Sequence, residues 1–335
     1  MDSTLSRQAT REDVGLIAIW VADGRGLLSL TAVGLAVSGL FGWFLAFTDQ
    51  LLPHDLAWLT ITEHELRAIA DGRLVHFMAH DRAAFGGTLV AIGVLYLWLI
   101  RFPLSEGRAW AWWALAIGGG FGFVSFVEYL GTGYIDSWHA VAMLALLLPF
   151  LLGLARSRQG LRGAAGVGTL VVPGARPPLR SLASLGRVLL LLTAVGMVVV
   201  GAAVATIGTA VVFVPQDLAF LGLERAALDA IDPRLVPLIA HDRAGFGAGL
   251  ATTGLTVLAS VHCGRPSRSL WEALALAGLA GFGSAVGFHG IIGYIDVVHV
   301  GPAVVAGAVF LAGLVLSRPA MCAGHHAAAA EPARE

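Results

Sequence analysis

The stretch LVHFMAHDRAAFGGTL, residues 74–89, returns as LVPLIAHDRAGFGAGL at residues 235–250, with ten of sixteen positions identical. The likeness extends to both sides. PHDLAWL from Pro53 faces PQDLAFL from Pro215, and GYIDSWH from Gly133 faces GYIDVVH from Gly293. A single offset of about 160 residues relates all three pairs, so the chain reads as two tandem copies of one unit.

Each copy is mostly lipid-soluble sequence. Hydrophobic residues make up 57% of the chain and charged residues 13%, against roughly 25% charged in soluble domains. About 20 apolar residues carry a helix across the hydrocarbon core. Such runs lie near 27–47, 78–100, 110–130, 137–155, 188–214, 243–262, 270–290 and 297–316. They are too long for barrel strands, so the expected fold is an all-α integral membrane protein of about eight transmembrane helices. Four spans per copy give both units the same orientation, a parallel repeat. Val14–Val21 is apolar but too short to span, and reads as an interfacial helix with Trp20 at headgroup depth.

The expected division is a cytoplasmic N-terminal segment (1–26), a first four-helix repeat (27–155), a basic linker (156–187), a second repeat (188–316) and a disordered tail (317–335) containing His325 and His326. The linker carries Arg156, Arg158, Arg162, Arg176, Arg180 and Arg187 without an acid. Its glycines and prolines predict flexibility, and its charge places it in the cytoplasm of a bacterial plasma membrane with both termini. The acidic connections around Asp49–Asp71 and Asp217–Asp232 then face outward. There, Thr62 and Glu65 fit a capping box and Gly72 a helix stop, giving a short helix positioned to cover whatever lies beneath.

Formal net charge is −1, so nothing favours nucleic acid. The partners expected are the lipid bilayer and, as an open alternative, further copies of the chain. The two cysteines, Cys263 and Cys322, form no CxxC, which excludes a thiolate zinc site and covalent c-type haem.

The chemistry-bearing residues are those kept in both copies: His80 and His241, Asp81 and Asp242, Arg82 and Arg243, Asp136 and Asp296, His139 and His299. Topology places the HDR triplets at the outer starts of spans two and six, and the DxxH pairs at the outer starts of spans four and eight, grouped within each half. His76 lies one helical turn before His80, as Asp136 does before His139. Imidazoles and carboxylates so converging are ligands for a divalent metal such as Zn or Fe. Haem held by His80 and His139 is the lesser cofactor reading. Two ionisable residues are not duplicated, Glu128 near the end of span three and His289 near the matching place in span seven; both join the candidate polar network.

Each feature also has a structural explanation. Asp136 and Asp296 suit helix N-caps. Arg82 could pair with Asp81 or Asp136 and pin span two to span four. Small residues along spans two, three, six and seven favour close helix packing. Three functions therefore compete: metal-dependent enzymatic or redox chemistry at the extracytoplasmic face, ion- or proton-coupled transport, and a non-catalytic scaffold or sensor held by a structural polar lock. Mid-span stretches such as Ala142–Leu148 and Leu189–Val200 hold no ionisable residue. That places a surface metal site ahead of a transport path.

Overall fold

The computed structural model describes residues 21–127, 133, 134 and 137–322. The expected interfacial stretch up to Trp20, Glu128, Asp136 and the histidines of the tail lie outside the described residues.

The described chain is helical, with no strand. Its helices are α1 (Arg25–Phe47), α2 (Pro53–Trp58), α3 (Glu63–Ala68), α4 (Arg73–Arg101), α5 (Ala109–Val124), α6 (Ser137–Ser157), α7 (Leu182–Ala210), α8 (Pro215–Leu221), α9 (Arg225–Ile231), α10 (Leu235–Cys263), α11 (Arg268–Ile292) and α12 (Val297–Cys322). Seven of them, α1, α4, α6, α7, α10, α11 and α12, are long and apolar enough to cross a membrane. The third expected span is shorter: α5 has 16 residues and passes into a 3-10 turn at Ser125–Val127.

Helices α4 and α10 form the centre. In their apolar stretches 72% and 67% of residues are buried, against 17–28% in the other five long helices. Those outer helices expose rows of large apolar side chains, among them Val37, Leu40, Phe41 and Phe44 on α1 and Val305, Leu311 and Val315 on α12. Surfaces of that kind are rare on soluble proteins.

Close backbone contact joins an outer helix to each central one, as small residues allow. Gly39 of α1 faces Gly86 of α4, and a Cβ on either would run into the other's carbonyl oxygen; Gly201 of α7 and Gly247 of α10 repeat the arrangement. The expectation of packing fails at Gly281 and Gly287 of α11, where a Cβ would meet nothing.

The two halves interleave. Helix α11 packs on α4, and α5 packs on α10, while α4 and α10 touch directly. Over one end, α2, α3, α8 and α9 build a second apolar cluster with Leu66, Phe77, Leu228 and Tyr294. The Thr62–Glu65 capping box forms, with the Thr62 amide donating to Glu65 at 2.8 Å. Gly72 does not stop α3, which already ends at Ala68. Instead Gly72, at φ 83°, closes the 3-10 turn ahead of α4, after Ala70 and Asp71 have both taken left-handed backbone. The α4 and α10 helices start at residues 73 and 235, earlier than hydropathy suggests. The HDR triplets therefore lie roughly 10 Å inside their helices, rather than at the helix starts.

The basic 156–187 stretch is anchored at several points. Trp113 donates to Ala165 O at 2.9 Å, the Gly174 amide to His262 O at 2.9 Å, and Arg187 to His262 O at 2.9 Å.

Candidate metal centre

The HDR triplets meet across the α4–α10 contact. Arg82 Nε lies 3.3 Å from Asp242 Oδ2, and Arg243 Nε lies 3.4 Å from Asp81 Oδ2. Each guanidinium has a second carboxylate from the capping helices. Arg82 donates to Asp55 of α2 at 2.5 Å, and Arg243 donates to Asp217 of α8. A phenol completes each set: Tyr134 donates to Asp55 at 2.5 Å, Tyr294 to Asp217 at 2.7 Å. All eight side chains are buried. Burial pushes the Tyr294 phenol up from its ordinary value, and the Asp217 carboxylate adds to the shift, so Tyr294 remains a neutral donor. The expected pairing of Arg82 with Asp81 does not form, because adjacent residues on a helix point in different directions; its alternative partner Asp136 lies outside the described residues.

The histidines follow the same crossing. His80 of α4 stands against His289 of α11 and His299 of α12, with ring centroids 4.2 and 5.9 Å away, and His289 and His299 are 5.2 Å apart. One ring nitrogen from each of the three lies within 4.8 Å of the others, and this is the one such histidine, cysteine or carboxylate group among the described residues. His80 and His289 are buried and His299 half-buried.

An oxygen acceptor faces each Nδ1. His289 Nδ1 donates to Ala285 O at 2.5 Å, His80 Nδ1 is 3.1 Å from Asp81 Oδ1, and His299 Nδ1 is 3.8 Å from Asp217 Oδ1. Only the His289 contact is a hydrogen bond, which orients that ring; His80 Nδ1 is buried without a hydrogen-bond partner. His289 Nε2 is buried without a hydrogen-bond partner.

A second histidine cluster occupies the corresponding place. His139 of α6 lies 4.9 Å from His241 of α10 and 5.3 Å from His54 of α2, ring to ring. His241 Nδ1 donates to Leu238 O at 3.2 Å. Position 54 corresponds to Gln216 in the other copy.

The grouping expected inside each half is thus replaced by grouping between halves. His80 and His139, the pair considered for haem, sit in separate clusters. The physical reason is the central α4–α10 contact, which turns each HDR face toward the other half's helices. His76 is partly exposed, with Nε2 3.7 Å from Asp49 Oδ2. Asp296 accepts from the His299 amide at 2.8 Å and caps α12.

Sequence reasoning left His54, Asp55, Asp217, Tyr134 and Tyr294 without a role, and placed His289 in the polar network but not among the ligands. The signal for Asp55, Asp217 and the tyrosines was their retention in the PxDLA and GYID segments. His54 and His289 lack a histidine counterpart, so duplication could not pick them out.

Beside His80, His289 and His299 opens a cavity of about 540 Å³ between α4, α7, α10, α11 and α12. Comparison with family models, curated proteins and solved structures finds no match.

Proposed function

We propose that this chain is a membrane metalloprotein that holds one divalent ion, Zn or Fe, on His80, His289 and His299 for enzymatic or redox chemistry near the extracytoplasmic face. The observation that carries this reading is the approach of three ring nitrogens to within 4.8 Å of one another, with His80 and His289 buried. Three neutral imidazoles suit both metals. They also leave a coordination position open, the mark of a catalytic rather than a structural ion.

The membrane setting belongs to the same reading. The chain crosses the bilayer eight times as two parallel four-helix units, with α5 as the third crossing and the arginine-rich 156–187 connection in the cytoplasm. The helices α2, α3, α8 and α9 then roof the centre on the outer side.

A structural lock accounts better for Asp81, Arg82, Asp242 and Arg243. Their reciprocal ion pairs use up the charges that chemistry would need. In the first triplet His80 serves the ion, while in both triplets the aspartate and arginine serve the fold.

The test is metal analysis of purified protein. Near-stoichiometric zinc or iron is expected, lost in His289→Ala and His299→Ala. Protein that arrives metal-free and takes up neither Zn²⁺ nor Fe²⁺ on reloading overturns the proposal.

A further inference from the structure

The 540 Å³ cavity is mostly apolar, with its charged, amide and imidazole groups at one end and Thr88 and Thr253 the other polar side chains that line it. Met197, Val204, Leu250, Phe282 and Phe310 supply walls, while His80, Asp81, Gln216, Arg243, His289 and His299 gather at the other end. Its size lies in the range that holds one ligand of moderate size, roughly 300–1,000 Å³, and is too small for a two-chain phospholipid. Val199 and Val200 of α7 and Val298 of α12 line it and are exposed. The cavity therefore opens sideways, on the flank where the long helices present apolar side chains outward.

A glycine keeps this space open. Gly281 lines the cavity, and a Cβ built there meets nothing within 4 Å. Two of the three clustered histidine rings present buried polar surface to the same space, and His289 Nε2 lacks a hydrogen-bond partner. An apolar guest of any kind would leave that end unsatisfied, and an unpaired buried polar group is costly. The guest that satisfies both ends has an oxygen-bearing head and one apolar chain.

We propose that the cavity takes a single-chain, lipid-soluble molecule with an oxygenated head, an isoprenoid or fatty alcohol being the simplest member, which enters from the bilayer between α7 and α12 and places its head oxygen at the histidine cluster. The inference rests on the metal reading for what the head meets, and on the cavity for the rest. The chain lies along Met197, Phe282 and Phe310; the head reaches the open coordination position and the Gln216 amide.

The test uses tritiated farnesol on the purified full chain in detergent, with metal content measured on the same sample. One saturable site per chain is expected. Gly281 of α11 and Ala203 of α7 both line the cavity, and Gly281→Phe and Ala203→Phe should each weaken farnesol binding at least tenfold with metal content unchanged. Binding that survives both substitutions overturns the inference, as does an organic extract of the protein that holds only stoichiometric two-chain phospholipid. Metal present with no farnesol binding sinks the inference alone. Farnesol binding that both variants abolish, in protein without metal, sinks the metal reading and supports the cavity assignment.

Discussion

Arg82 on α4 reaches Asp242 on α10 at 3.3 Å, and the neighbouring Arg243 reaches back to Asp81 at 3.4 Å. The two contacts make one crossed pair of ion pairs, buried between the halves. Each arginine is also held by a roof carboxylate, Asp55 or Asp217. Removing one member strands its partners in a buried site. Arg82→Ala should cost about 3–5 kcal/mol, seen as a lower unfolding midpoint in detergent. Arg82→Lys should restore little, since an ammonium cannot fork between Asp55 and Asp242. Arg82→Ala/Asp242→Asn should cost less than the sum of its singles. Additive singles would mean that the contact carries no coupling.

His76 and His289 separate the sequence reading of the metal site from the structural one. His76 is partly exposed and near Asp49, whereas His289 is buried beside His80. Metal content should be unchanged in His76→Ala and lost in His289→Ala. The reverse result would return the centre to the His76–His80 pair.

Asp232 binds the two halves of the roof. It accepts from the Thr60 amide at 2.6 Å and hydroxyl at 2.9 Å, and from the Arg234 amide at 2.8 Å. Burial opposes its ionisation, but these donors together hold its carboxyl below the ordinary value. A lowered folded value gives stability that is present above the unfolded pKa, about 3.9, and lost as pH falls through the folded value. Thermal midpoints should therefore drop below about pH 4 in the parent chain, and less steeply in Asp232→Asn. Parallel acid profiles for the two proteins would remove the assignment.

Tyr294 tests the electrostatics of the roof from the alkaline side. Burial and then Asp217 raise its pKa, so its proton stays on where an ordinary tyrosine, near 10, would lose it. In ultraviolet titration, Tyr294→Phe should remove no ionisation amplitude below about pH 11. The sign follows the raised value: its contribution to stability is present below the unfolded pKa and fades as pH climbs toward the folded one. Loss of amplitude near pH 10 in the variant would contradict a neutral Tyr294.

Hydropathy and the internal match located every long helix, because apolar length is a local property of the chain. Which residues meet was not local. The HDR triplets, the Asp296 cap and the Thr62 capping box were readable from spacing. The exchange of partners was not, since it depends on α4 packing against α10 and α11 rather than on anything within residues 74–89. His289 illustrates the limit. Its value as a ligand comes from a ring 4.2 Å away on a helix of the other half. Gly281 and Gly39 illustrate another, since both are helix glycines and only the tertiary structure separates the one that makes room from the one that makes contact.

The crossing of the halves also bears on biosynthesis. His80 and His299 are separated by about 220 residues, so at 5–20 residues per second the ribosome spends roughly 10–40 s between them. Until the last ten residues of that interval the nascent chain has one imidazole of the three, too few to hold the proposed ion. On the proposed metal reading, the centre is complete only once α12 has been made, so a filled site reports that both halves are in place.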